Sequence, residues 1–134
     1  MDGGAAQLGK APKMTGKITA YQDFGPYYLR EHSRRACRAQ HYVGTTLAIV
    51  LLVIHIADGN PLYFGAAIIS GYAFAWTGHF FVEHNRPATF TYPLWSLYSD
   101  FRMYAFAITG RLAAELARAG QLESGAETAP RQSV

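Results

Sequence analysis

"LYFGAAIISGYAFAWTGHFFV", residues 62–82, decides the fold. These 21 consecutive positions contain no Lys, Arg, Asp or Glu, and a helix crossing a bilayer needs about 20 apolar residues. A second uncharged run, from about Tyr42 to Ala57, precedes it, and "DGNP" at 58–61 between them is a turn signal. The pair reads as an antiparallel helical hairpin. The first run is short for a bilayer, but the basic residues at its start can snorkel to the interface. The predicted fold class is all-α: a small helical integral membrane protein, with an antiparallel transmembrane hairpin plus amphipathic or interfacial helices. A soluble all-α domain with a very apolar hairpin is the alternative, although uncharged runs of this length are rare in soluble cores.

Outward from the hairpin, residues 1–20 read as a flexible basic tail without the long apolar core of a signal peptide. Residues 21–120 form a single helical membrane domain, and 121–134 a disordered C-terminal tail. Gly25-Pro26 opens a short helix, "PYYLREH", and Ser33 is a candidate cap for the helix that follows. Pro87 and Pro93 break the chain after the second apolar run. Segment 94–109 is aromatic-rich but holds Asp100 and Arg102, so it lies along the interface or turns those residues inward. "RLAAELARAGQLE" is an amphipathic helix candidate.

Composition agrees with a membrane setting. Of 134 residues, 16% are charged, against roughly 25% in soluble domains. The single cysteine, Cys37, excludes an internal disulfide framework. The basic pI near 9.1 comes with no nucleic-acid motif. Instead Lys10, Lys13, Lys17, Arg30, Arg34, Arg35 and Arg38 all precede the first apolar run. The positive-inside rule places the N-terminus and the 83–93 loop in the cytoplasm.

The hairpin brings histidines together. His41 lies 19 residues before Asn60 and His79 lies 19 after it, so equal helical rise sets them at one depth, at the cytoplasmic membrane edge. Ala67, Gly71, Ala75, His79 and Glu83 share one face, and small residues there let a partner helix approach. Gly44 and Ala48 supply the matching small pair. His32 is half a turn out of phase with His41 and reaches the same place only if the chain breaks between them. Imidazoles with a carboxylate suit iron, zinc or manganese, and open positions favour non-haem Fe(II) and dioxygen. On spacing alone, His79 and Glu83 equally fit an interfacial hydrogen-bonded pair. His55 reads as an isolated histidine near the outer turn, His84 as an exposed neighbour, and Asp100 as a structural partner of Arg102 or Arg86. Arg86 could hold a carboxylate bidentately.

"GHFFVEHNRPA" and the upstream "YLREHSRRACRAQHYVGT" resemble the two signatures of the Mpo-type 2-hydroxy fatty acid dioxygenase family, over roughly residues 21–110. The continuation "TFTYPLWSLYSDFRM" resembles its bacterial branch. The resemblance implies an Fe(II)-dependent membrane enzyme that shortens 2-hydroxy fatty acids by one carbon with dioxygen. It implies His32, His41, His79 and Glu83 as the metal ligands and Arg86, in the loop signature, as the partner of the substrate carboxylate. His84 stands where Lys or Arg is common, and Cys37 where Asn is frequent. The expectation is thus a lipid-metabolising oxidoreductase in a bacterial inner membrane, its metal site on the cytoplasmic side. Its partners are a fatty-acid-type substrate and the membrane, with no nucleic acid, and homo-oligomerisation is left open. The rival readings are a non-catalytic membrane protein with a structural or head-group-binding polar cluster, and a Zn-dependent lipid hydrolase.

Overall fold

The turn between the two apolar runs forms as its residues dictate. In the computed structural model, which describes residues 16–128, Gly59 takes the left-handed conformation (φ 75°), and its N–H donates to His55 O at 2.8 Å. That conformation favours glycine because a Cβ would crowd the backbone. The Asn60 side chain then accepts from the Leu62 N–H at 3.0 Å, and Pro61 takes the first helical position. Helix α2 (Arg35–Asp58) therefore ends and α3 (Pro61–Thr77) begins almost at once, and the two run antiparallel.

Their contact is made by small residues. A Cβ on Gly44 would lie 2.8 Å from Phe74 Cβ and 3.2 Å from Gly71 O. Gly71 faces Ala48, and a Cβ on Gly78 would lie 3.0 Å from Cys37 Sγ. Ala67 and Ala75 are buried. Gly44 with Phe74, and Ala48 with Gly71, are nearly equidistant from the turn, the register the equal-depth argument requires, whereas Cys37 meets Gly78 with an offset of five residues.

Beyond Thr77 the helix widens into a π-helical turn, Gly78–Glu83. A short 3-10 turn, Ala88–Phe90, leads into α4 (Pro93–Ile108), and α5 (Leu112–Thr128) follows. No strand occurs among the described residues. Helix α5 continues past residue 120, where the sequence places a disordered tail; residues 129–134 and 1–15 lie outside the described residues. Of the basic tail, the described part is pinned, because Ile18 is buried and its N–H donates to Tyr92 Oη at 2.7 Å.

Helix α1 (Tyr21–Glu31) starts five residues before the expected Pro26. Proline inside a helix removes one backbone bond, yet packing overrides it here. Phe24 is fully buried, within ring-contact distance of Tyr92 and Trp95, and burying such a side chain contributes about 1.5–3 kcal/mol. Phe24, Tyr28, Leu29, Met103 and Ala119 centre the apolar core, which thus lies among α1, α4 and α5 rather than in the hairpin.

The hairpin and α4 are the reverse of a soluble core. Ile56, Leu62, Ile69, Phe81 and Leu94 are each at least 70% exposed, while α4 buries Ser96, Ser99 and Met103. Of the two expected spans, one is met by a helix alone: α2 is long and apolar enough to cross a bilayer, and about a tenth of its apolar window is buried (11%). Helix α3 has 17 residues and reaches bilayer length only together with the π-turn.

Candidate metal centre

Three histidines from three elements meet where the hairpin opens. His32 caps the C-terminus of α1, His41 lies in α2, and His79 lies in the π-turn. All are at least 95% buried. His32 Nε2 is 3.0 Å from His41 Nε2, which is 3.3 Å from His79 Nε2. The break that brings His32 into phase falls at residues 32–34, as the half-turn argument requires, but Ser33 is not its cap. Arg38, itself buried, closes the break by donating to His32 O at 2.8 Å and Ser33 O at 2.7 Å.

The outer nitrogens decide what the inner ones can do. His32 Nδ1 is 2.7 Å from Tyr28 O, a carbonyl that can only accept. His41 Nδ1 is 3.2 Å from a carboxylate oxygen of Asp100. His79 Nδ1 is 2.8 Å from Asn85 Oδ1. The Asn85 amide is oriented by its Nδ2, which donates to Glu31 O at 3.0 Å and Glu31 Oε2 at 2.9 Å. Each Nδ1 therefore carries the hydrogen, and each Nε2 presents a lone pair. Three lone pairs converging at hydrogen-bond distance repel unless a cation lies among them. Burial, and then neighbouring His41 and His79, hold His32 well below the usual imidazole range, so it stays neutral and able to donate to a metal.

The donor set fits such a cation. Two nitrogens about 2.1 Å from one ion are roughly 3.0 Å apart at a right angle and about 3.4 Å apart in a tetrahedron, which brackets the two separations above. Cys37 is fully buried, and its sulfur lies with the three nitrogens, all within 4.8 Å of one another. These four residues could hold a metal ion. The outer contacts are of the kind that fix tautomer and ring orientation in metal sites.

Glu83, expected as the fourth ligand, points elsewhere. Its carboxylate accepts from Ser33 Oγ at 3.1 Å and from the Arg34 N–H at 2.5 Å, capping the start of α2 from across the hairpin. The unpaired N–H groups and positive dipole end of α2 attract it. Arg86 is on the surface, its guanidinium 5.3 Å over the Phe90 ring. His84 is exposed in a left-handed conformation. His55 bonds Asn60 O at 2.9 Å beside Phe64, away from the cluster.

Asp100 is the residue sequence reasoning misplaced. It does not pair with Arg102, which contacts Tyr21 Oη at 3.3 Å. It accepts from Tyr28 Oη as well as facing His41, and the Tyr28 ring stacks on His32 with centroids 4.1 Å apart. A carboxylate interrupting an apolar segment was the available signal. Asn85 and Tyr28 lie within the two signature stretches, but helical spacing assigns neither a contact with the histidines.

The profile of the family described as "2-hydroxy-palmitic acid dioxygenase Mpo1-like" matches residues 18–112. Neither a curated protein nor a solved structure matches the chain. The match spans well over half the sequence and contains every residue of the cluster. The chain belongs to this family.

Proposed function

We propose, from that membership and the cluster's chemistry, that the chain is an integral membrane dioxygenase that shortens 2-hydroxy fatty acids by one carbon. The single observation that carries the reading is the convergence of three Nε2 lone pairs whose outer N–H groups are all committed. His32, His41 and His79 hold iron, with Cys37 beside them. Iron, when bound, supplies the redox chemistry that lets dioxygen oxidise the substrate. With the lost carbon leaving as carbon dioxide, acid and dioxygen balance to a shorter acid, carbon dioxide and water. Two electron pairs leave the acid and reduce one dioxygen, so no further reductant enters.

The protein's part is placement. Asp100 and Asn85 fix the imidazoles of His41 and His79, and Tyr28 both covers His32 and holds the Asp100 carboxylate. Burial of the histidines keeps water out. The exposed apolar faces of α2 and of α3 with the π-turn support a two-span hairpin, and the basic N-terminal side supports a site at its cytoplasmic edge. That edge suits an acid whose chain stays in lipid.

The test uses full-length protein in detergent. Expected are one iron per chain, dioxygen uptake with 2-hydroxypalmitate, and a product one carbon shorter. The sulfur donor favours one competing reading, a zinc-dependent lipid hydrolase. Stoichiometric zinc with turnover unchanged under anaerobic conditions would establish that reading instead.

A further inference from the structure

A second site lies beside the histidine cluster, on a different face of α2. A cleft of about 470 Å³ is lined by Arg35, Ala36, Arg38, Ala39, Tyr42 and Leu112. It contains two cations and no acidic residue. Arg38 is 9% exposed, and one nitrogen of its guanidinium donates to His32 O and Ser33 O. The Tyr42 hydroxyl is buried beside the Arg38 guanidinium. The cleft thus gathers two guanidinium groups and a tyrosine with no carboxylate among its lining residues, which calls for an acceptor with negative charge.

The surface leading away from the cleft is apolar. Val43, Leu47, Val50 and Ile54 follow along α2 at helical spacing, each at least 37% exposed. A charged head at the cleft and a hydrocarbon chain along this stripe match one molecule. We infer that Arg35, Arg38 and Tyr42 bind the oxyanion head of an acyl lipid, the carboxylate of a fatty acid or the phosphate of an anionic phospholipid. This replaces exposed Arg86 as the anion-binding group. That the fatty acid is the 2-hydroxy acid rests on the proposed function; the site does not.

The test is binding to the full chain in phosphatidylcholine nanodiscs, with and without metal. The probes are 2-hydroxypalmitic acid and hexadecane-1,2-diol, which has the same length but no carboxylate. The variants are Arg35→Gln and Tyr42→Phe, which leave Arg38 to close the 32–34 break. Each is expected to weaken acid binding about five- to tenfold and leave diol binding unchanged, in metal-loaded and chelator-stripped protein alike. Phosphatidylglycerol that competes with the acid in the unsubstituted protein but not in the variants assigns the site to phosphate. No competition, with the variants still weak, assigns it to carboxylate. Equal acid binding by all three proteins overturns the inference. So does acid binding that is lost on stripping the metal but untouched by the substitutions, and that outcome leaves the metal reading standing.

Discussion

Both ends of the α2–α3 hairpin carry a histidine and a carboxylate, and they behave differently. At the turn, His55 bonds Asn60 O and lies beside Phe64, while Asp58 is exposed. At the open end, His41 and His79 meet His32, and Asp100 holds His41 from behind. A hairpin alone brings two side chains level. A site needs further elements: α1 for His32, α4 for Asp100, and the π-turn with its loop for Asn85. The ends also differ in what they bury. The open end buries histidines whose outer nitrogens are hydrogen-bonded, and the shaft exposes its apolar side chains. In water that arrangement would be unfavourable; in lipid it is the expected one.

The largest break in the comparison comes from exchanging the histidines. His79→Ala should reduce metal affinity at least about 100-fold and abolish dioxygen uptake, because a lost ligand costs more than the roughly 10–100-fold typical of an outer partner. His55→Ala should bind metal as tightly as the unsubstituted protein. Metal analysis after dialysis reads both. Equal metal content in the two variants would erase the distinction between the ends.

Asp100→Asn sharpens it further. The amide oxygen can still accept from His41, but the negative charge is gone. Metal affinity should fall about 10–100-fold, with the helical content by circular dichroism retained. No change would make Asp100 a structural neighbour only.

The shaft is tested by its glycines. Gly44→Ala puts a methyl 2.8 Å from Phe74 Cβ and should destabilise by about 1–3 kcal/mol through overpacking. Gly65 has nothing within 4 Å of such a methyl, so Gly65→Ala should be neutral or stabilise by about 0.5–1 kcal/mol. Thermal unfolding in detergent separates the two.

How much of this was legible follows from which interactions repeat along the chain. Helical period and rise are regular, so the turn at 59–60, the small-residue seam and the level placement of His41 and His79 could be read from spacing. The half-turn mismatch even located the break beside His32. Asp100 and Asn85 come from segments whose approach depends on tertiary packing, which no local period encodes. Cys37 joined the cluster unannounced because a lone cysteine has no pattern. The start of α1 was misread because Pro26 is a strong local signal, and the burial of Phe24, which outweighs it, is not local. Glu83 lies away from its expected place beside His79 because the chain widens into a π-turn from Gly78 to Glu83, which shifts the α-helical phase on which that expectation rests.

Glu83 also supplies the smallest effect and the cleanest division between spacing and structure. As a metal ligand, its change to glutamine would weaken metal binding by orders of magnitude. As the cap of α2 it has a different role. Glu83→Gln keeps an oxygen that can accept from Ser33 Oγ or the Arg34 N–H, and it loses the charge that complements the helix end. Stability should fall by about 0.3–1 kcal/mol, with metal stoichiometry and affinity unchanged. The destabilisation should shrink as salt screens the dipole interaction. Unfolding measured at low and high ionic strength, beside metal analysis of the same samples, reads both halves. A salt-independent loss of metal would return Glu83 to the ligand set and set spacing above the bonds the carboxylate makes.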